Sequence, residues 1–304
     1  MGIVKHRKIW YTFSTLLVLA SLFSIFYFRL NFSVDFTGGS LLEIEYQDVR
    51  PETAIIQNKL LELNLGNISF QPTGEKGLII RLRTVNEEEH QALLNYLSST
   101  GSFNEIHFDS IGPTIGKELA QKSIYAVIIV IAMIILYIAF AFRKVSKPVS
   151  SFKYGLMAVV ALIHDVTAPI GVFAVLGKYF GTQIDILFVT AILTVLGFSV
   201  HDTIVVFDRI RENLRKNIGT DFENTVGLSI NQTIVRSINT SLTVIFVLFA
   251  LFFFGGETIK YFSLALIIGV FFGTYSSIFL ASPLLVTLYK FQISRRATAQ
   301  QVSR

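Results

Sequence analysis

The sequence predicts an α-helical polytopic membrane protein with six transmembrane helices and an inserted α+β domain outside the membrane. The first reason is composition: of 304 residues, 52% are hydrophobic and only 15% are charged, whereas a soluble globular chain carries about 25% charged residues. The second reason is six apolar segments that are each long enough to cross a hydrocarbon layer about 30 Å thick. The third is a single long polar stretch between the first and the second of these segments.

The six predicted spans follow one another through short connections, except after the first. That first segment has a basic start, as a cleaved signal peptide has, but its apolar run exceeds the roughly 7–15 residues of a signal peptide, so we interpret it as a retained anchor. The last segment is long enough to tilt, or to bend near Pro283. The spans are residues 9–28, 123–142, 154–177, 186–207, 237–256 and 261–289.

The distribution of Lys and Arg predicts the orientation of these spans. Both termini and the connections after the second and fourth spans are rich in Lys and Arg, whereas the two short connections on the other side hold only Lys178 and Lys260. By the positive-inside rule both termini are cytoplasmic. The net charge of +5 follows from this topology, so we expect no nucleic-acid partner. The predicted parts are an N-terminus with the first span (1–29), an outward domain (30–122), five further spans (123–289) and a cytoplasmic tail (290–304).

Residues 30–122 carry the alternating pattern of a small α+β domain. Strand and helix patterns occur in the order β-α-β-β-α-β, which is the ferredoxin-like split unit. Asn86 with Glu89 predicts a capping box at the start of the second helix. No nucleophile lies beside a base here, so we expect no catalytic residue and no enzyme activity. The predicted elements are 41–46, 51–65, 68–70, 78–82, 86–96 and 103–108.

The informative residues are the charges that lie within the spans, because such charges are costly in a membrane and usually mark ion pathways or pairs. Asp165 is expected near mid-membrane, and Asp202 in the cytoplasmic third of the fourth span. Arg236 opens the fifth span at a similar depth, so we predict that Asp202 and Arg236 face each other. His164 is expected to point roughly 100° away from Asp165. The simplest alternative is a static ion pair that holds two helices together.

A stripe of polar residues accompanies Arg236 along one face of the fifth span. Since their spacing follows the helical period, we expect them to line a hydrated interior face. Ser199 lies three residues before Asp202 and shares its face. A carboxyl group that is buried beside a movable guanidinium exchanges a proton when their separation changes, and such a site couples protons to motion. The stripe consists of Gln232, Arg236, Asn239, Thr240 and Thr243.

Four segments together resemble the SecD/SecF family of bacterial protein-export membrane proteins, within the RND superfamily. They are residues 34–39 (VDFTGG), 162–166 (LIHDV), 197–213 (GFSVHDTIVVFDRIREN) and 229–241 (SINQTIVRSINTS), and the resemblance covers nearly the whole chain. It implies one half of an RND-type transporter fold in the cytoplasmic (inner) membrane. It also implies that Asp202 and Arg236 take part in proton passage, with Asp165 as a further candidate.

The same resemblance implies partners and a task. The partner would be a SecD protein in a heterodimer, and the pair would assist export of an unfolded polypeptide through the SecYEG channel with the proton motive force. SecA, YajC and YidC are further candidate partners. The resemblance implies no cofactor. The chain has five scattered His residues without paired spacing and no Cys, so the sequence offers no ligand set for a metal.

Three other functions remain open from the residues alone. One is an RND-type exporter of small molecules or lipids, which needs a hydrophobic substrate funnel in the outward domain. Another is an intramembrane aspartyl protease that uses Asp165 and Asp202 as a dyad, which requires the two carboxyl groups to lie about 3 Å apart. The last is a structural membrane scaffold.

Overall fold

The fold is taken from a computed structural model of the chain, which describes residues 2–60, 65, 68–142 and 149–302. The chain divides into two compact units. The membrane unit comprises Met1–Leu30, Ala126–Thr182 and Leu187–Arg304, and the sheet unit comprises Asn31–Tyr125 with Gln183–Ile186. The sheet unit therefore takes in the short connection that precedes the fourth span.

In the part of the chain that the structure describes, six helices are long and apolar enough to cross a membrane, as the sequence predicts. Several extend beyond their apolar runs, because backbone hydrogen bonding continues past the point where the side chains become polar. The helix of the second span begins at Pro113 and that of the fifth at Phe222, ten or more residues before the predicted spans begin. The helices are α1 (Gly2–Lys5), α2 (Arg7–Phe28), α6 (Pro113–Ala141), α7 (Ser151–Phe180), α8 (Ile186–Arg215), α9 (Phe222–Phe254), α10 (Glu257–Ser276) and α11 (Ser282–Val302), with α3 to α5 in the sheet unit.

The interior of the membrane unit is formed mainly by α7, α8 and the helices of the last span. Half of the residues in the apolar parts of α7 and α8 are buried, against 11% in α2 and 6% in α6. An aromatic cluster joins α7 and α8 to the residue that follows α6: the Phe142 and Tyr154 rings stack with centroids 5.5 Å apart, and Phe207 packs edge-on against both. Polar residues on α7 and α8 are thus held inside the bundle.

A close approach at one glycine brings α2 and α7 together. A Cβ atom added at Gly171 would lie 2.5 Å from the Ser21 Cβ and 2.6 Å from its Cα. Distances this short are not tolerated between carbon atoms, so only glycine fits here. Small residues at helix contacts are the usual means of close packing in membranes.

The last span is interrupted by a π-helical turn, Ser277–Ala281, between α10 and α11. The sequence predicts that this span tilts or bends near Pro283, and the wide turn ends two residues before that proline. Single π turns inside longer helices occur frequently at functional sites. This one places Ser276 and Ser277 in the interior, where both are fully buried.

The sheet unit has the predicted β-α-β-β-α-β succession. Its strands pair antiparallel in the order β2-β3-β1-β4, and the buried side chains of β1 and β3 pack under α4 and α5. The first helix is described over Thr53–Leu60, and residues 61–64 of the predicted segment 51–65 lie outside the described residues. The elements are α3 (Val34–Thr37), β1 (Gly39–Tyr46), α4 (Thr53–Leu60), β2 (Ser69–Thr73), β3 (Gly77–Leu82), α5 (Glu87–Ser98) and β4 (Phe103–Ile111).

The VDFTGG segment forms a one-turn helix followed by a tight turn. Gly38 and Gly39 have φ angles of 74° and 131°, and residues other than glycine rarely adopt such values. Asp35 accepts a hydrogen bond at Oδ2 from the backbone N–H of Ile186, 3.0 Å away. That N–H is the first of α8, so this carboxylate satisfies a group that the helix itself leaves unpaired.

Candidate functional site

Asp165 lies fully buried at the junction of three helices. Its Oδ2 accepts hydrogen bonds from Ser199 Oγ of α8 at 2.5 Å and from Ser276 Oγ of α10 at 2.7 Å. Its Oδ1 lies 2.9 Å from His164 Nδ1 of the same helix. The expectation that His164 points away from Asp165 is therefore wrong, because the imidazole is long enough to turn back toward the neighbouring carboxyl group. Two hydroxyl donors and one imidazole nitrogen thus converge on one carboxyl group.

Asp202 forms a second, separate polar centre between α8 and α9. It is 7% exposed, and its Oδ1 accepts a hydrogen bond from Ser237 Oγ at 2.5 Å. Within the described part of the chain, its Oδ2 is buried without a hydrogen-bond partner. The next residue, Thr203, shares a hydrogen bond of 2.7 Å with Ser277 of the π turn. One oxygen of Asp202 is therefore open to a proton or to a group that is absent from the isolated chain.

The predicted direct pair between Asp202 and Arg236 is not formed. The ion pairs among the described residues do not include Arg236. His201 and Arg236 both lie near enough to act electrostatically on the Asp202 carboxyl group, while Ser237 provides the direct contact. Because Ser237 follows Arg236 by one residue, it is turned about 100° around the helix and meets α8 instead.

The polar stripe of the fifth span lies on the surface of the chain rather than in its interior. All five of its residues are exposed: Gln232, Arg236, Asn239, Thr240 and Thr243. The expectation of a hydrated interior face is therefore corrected for this isolated chain. The stripe follows the helical period as predicted, but the bundle packs through the adjacent face.

That adjacent face of α9 carries a run of small hydroxyl residues at every fourth position. All four are buried: Ser229, Thr233, Ser237 and Ser241. Ser229 accepts from Asn213 Nδ2 at 2.8 Å, and Ser241 is hydrogen bonded to Thr274 of α10. The regular i, i+4 spacing of these hydroxyls was the sequence signal that could have identified this face.

A surface cavity of about 380 Å³ lies between α8 and α9. Apolar side chains and charged side chains both line this cavity. The Arg236 side chain is one of the charged ones. The Arg209 guanidinium donates to Gln232 Oε1 at 2.6 Å, which holds one wall in place. The cavity is lined by Ile204, Val205, Asp208, Arg209, Glu212, Gln232, Thr233 and Arg236.

The two carboxyl groups predicted for a protease dyad use different partners. Asp165 bonds to Ser199, Ser276 and His164, and Asp202 bonds to Ser237. In the part of the chain that the structure describes, no hydrogen bond joins one carboxyl group to the other. The shared-proton geometry of an aspartyl protease is not present.

Comparison with known proteins identifies two family models in this chain. Residues 92–291 match the model described as "Protein export membrane protein SecD/SecF, C-terminal". Residues 23–48, which contain the two-glycine turn, match the "SecD/SecF GG Motif". Both Asp165 and Asp202 fall inside the longer match.

Curated relatives match over nearly their full length. A "Protein translocase subunit SecF" of Thermobaculum terrenum is 48% identical over 301 residues, covering 94% of this chain and 93% of the relative. One of the same description from Anaerolinea thermophila is 40% identical, with 94% and 93% covered.

A solved structure shares the fold. The crystal structure of SecDF, described as a translocon-associated membrane protein from Thermus thermophilus, superposes with a TM-score of 0.83 at 29% identity. The match covers 95% of this chain but only 39% of the SecDF chain, so this chain corresponds to less than half of that molecule.

Proposed function

Because this chain belongs to the SecD/SecF family of protein-export membrane proteins, we propose that it acts as the SecF subunit of a SecDF complex that assists protein export with the proton motive force. The family and the multi-pass membrane architecture are established by the comparisons and the six spans. The use of protons is our inference from the site. The observation that carries it is the buried Asp202 carboxyl group with one unpartnered oxygen among the described residues.

Asp202 is suited to exchange protons during a conformational cycle. A buried carboxylate without a counter-charge in direct contact is costly, which favours the neutral form, and a guanidinium that moves closer favours the charged form. A change in the distance between α8 and Arg236 would therefore bind or release a proton. Each charge that crosses 100 mV contributes ~2.3 kcal/mol, which is enough to bias a two-state element roughly fiftyfold.

The exposed polar stripe supports a SecD protein as the partner. Five exposed polar side chains at membrane depth are unfavourable against lipid, because lipid offers no hydrogen-bond partners to the polar groups that the chain itself leaves unpaired. A second membrane protein that covers them would supply those partners and place Arg236 inside the assembled complex. In that complex the stripe would line a hydrated interface between the two halves, with Asp202 and Asp165 behind it.

The remaining parts of the proposal concern location and further partners. We place the protein in the cytoplasmic (inner) membrane with both termini cytoplasmic and residues 30–122 outside, and we assign it no catalysis of its own. It would act on an unfolded polypeptide at the SecYEG channel, with SecA, YajC and YidC as further candidate partners. The name of the relatives, protein translocase subunit, favours export of proteins over export of small molecules or lipids.

The test replaces Asp202 by Asn, a neutral side chain of similar shape that cannot exchange a proton. We expect the stimulation of export by an imposed proton gradient to be lost in vesicles that contain the complex, while the ATP-driven stage continues. The matched control is Glu118→Gln on α6, because Glu118 is exposed and pairs only with Lys122 among the described residues. Normal gradient-driven export by the Asp202→Asn complex would refute the proposal.

A further inference from the structure

We propose that Asp165, His164, Ser199 and Ser276 form a second proton-binding site, separate from Asp202, and that Ser276 is its positioning residue. The inference rests on the proposed function, because that function supplies the protons. It goes further in assigning a second carboxyl group to the cycle and in naming the groups that hold it. These four residues come from α7, α8 and α10, so the site joins three helices.

The site is closed to solvent and rich in donors. Asp165, Ser199 and Ser276 are each 0% exposed, and His164 is 3% exposed. In the described part of the chain, no Lys or Arg makes an ion pair with this carboxyl group. Hydroxyls and an imidazole therefore take the place of a fixed positive charge. Such groups stabilise a carboxylate by hydrogen bonding and do not lock it in the charged state as a permanent cation would.

The two serine hydroxyls can form hydrogen bonds with Asp165 in both of its protonation states, because each hydroxyl is a donor and an acceptor. Ser276 Oγ lies 2.7 Å from Asp165 Oδ2 and 3.1 Å from the carbonyl oxygen of Gly273. When a proton binds Oδ2, one O–H bond forms on the carboxyl group. The Ser276 hydrogen then turns to the Gly273 carbonyl, and Ser276 Oγ accepts the new carboxyl O–H. Release of the proton reverses these steps, and no other bond changes.

Two other titratable side chains face this carboxyl group or its imidazole partner. His164 contacts it directly from α7, and its Nε2 is buried without a partner among the described residues. Tyr275 of α10 stacks on the His164 ring with centroids 5.8 Å apart, and its hydroxyl lies 3.2 Å from Ser14 Oγ of α2. From α8 the nearest titratable residues along the chain are His201 and Asp202, two and three positions after Ser199. Among the described residues, the imidazole is thus the titratable group in direct contact that can share the proton.

The π turn connects this site to Asp202. Ser276 precedes the turn and bonds to Asp165, whereas Ser277 opens the turn and bonds to Thr203, the residue after Asp202. Ser277 also donates to the carbonyl of Gly273 at 3.0 Å, the same oxygen that Ser276 uses as its second acceptor. A change in the hydrogen bond of Ser276 therefore alters the bonding of the turn that contacts the Asp202 side.

The experiment is infrared difference spectroscopy of the full chain, assembled with its SecD partner in vesicles, between acidic and neutral pH. Buried protonated carboxyl groups give resolved C=O bands whose frequency depends on their hydrogen bonds. We expect two such bands: Asp202→Asn removes one, and Asp165→Asn removes the other. Ser276→Ala should leave both bands present but shift the Asp165 band to higher frequency, and should slow gradient-driven proton flux about tenfold, the effect of losing one hydrogen bond of about 1.4 kcal/mol to a charged group.

The matched control is Ser263→Ala in the same helix. Ser263 is also 0% exposed, but its hydroxyl has no hydrogen-bond partner among the described residues, so both bands and the flux should stay unchanged. If the Asp165→Asn chain fails to assemble with its partner, the Ser276→Ala chain tests the second site instead, because it keeps the Asp165 carboxyl group. A spectrum whose bands are unaffected by Ser276→Ala, or by Asp165→Asn, overturns the second site and leaves the proposed function standing. Retention of gradient-driven flux by Asp202→Asn refutes the proposed function instead.

Discussion

Asn86 and Glu89 satisfy each other's backbone N–H groups at the start of α5. Asn86 Oδ1 accepts from the Glu89 N–H at 2.9 Å, and Glu89 Oε2 accepts from the Asn86 N–H at 3.1 Å. The Arg83 guanidinium binds the same carboxylate at 2.5 Å. The hydrogen bond from Arg83, followed by that from the Asn86 backbone, lowers the pKa of Glu89.

This lowered pKa gives a prediction for the first turn of α5. A carboxyl group whose folded pKa lies below its unfolded value of about 4.3 stabilises the fold above that value, and the contribution is lost as pH falls through the folded pKa. Hydrogen exchange of the first-turn amides of α5 should therefore accelerate below about pH 4, beyond the intrinsic change of exchange rate. Glu89→Gln should remove this acceleration, and Glu88→Gln, an exposed neighbour, should preserve it. Identical pH profiles for Glu89→Gln and the parent chain would contradict the assignment.

The sequence predicts the capping box and the two buried acids, but not their surroundings. Asp165 and Asp202 are identifiable because a charge within an apolar span is rare. Ser237 and Ser276 are not, since a serine in a helix usually bonds to its own backbone and only tertiary packing shows which ones face a carboxyl group. His164 was misjudged because helix geometry fixes the direction of Cβ and leaves open where a long side chain turns.

At the level of elements, the contact between α2 and α7 depends on Gly171. Gly171→Ala would force its Cβ against the Ser21 backbone, so the helices must separate. Such overpacking typically costs about 1–3 kcal/mol, and we expect a lower melting temperature of the purified chain in detergent. Gly155→Ala in the same helix is the control, because its Cβ would lie 3.8 Å from its nearest neighbours in α6. Equal melting temperatures for the two variants would show that this contact does not determine stability.

The number of spans was predictable, whereas the ends of their helices were not. Apolar length reports where a helix crosses the membrane, so α6 and α9 begin well before their predicted spans. The sequence predicts a tilt or a bend near Pro283 but not the π turn Ser277–Ala281. A kinked α-helix and a helix that contains a π turn have no distinguishing sequence pattern here. In the sheet unit the alternating pattern was sufficient to give the order of strands and helices.

For the whole molecule, we expect the exposed stripe on α9 to direct assembly with the partner. Asn239→Leu combined with Thr243→Leu keeps an apolar helix but removes hydrogen-bonding groups from the surface that we assign to the SecD partner. We expect at least a tenfold loss of co-purifying partner, since two lost interfacial hydrogen bonds amount to about 2 kcal/mol. Thr12→Leu on α2, also an exposed hydroxyl residue, should leave co-purification intact. Undiminished recovery of the partner with the double variant would place the interface elsewhere.

The surface position of Arg236 also constrains how a cell can produce this protein. We expect a newly inserted copy that has not met its other half to hold this guanidinium near the cytoplasmic edge of the bilayer, because Arg236 directly precedes the predicted fifth span. Headgroups and water drawn to that charge would thin the bilayer locally and loosen the neighbouring helix. Orphan copies should therefore be degraded by membrane proteases faster than assembled ones, and synthesis of both halves in matched amounts would keep their number low.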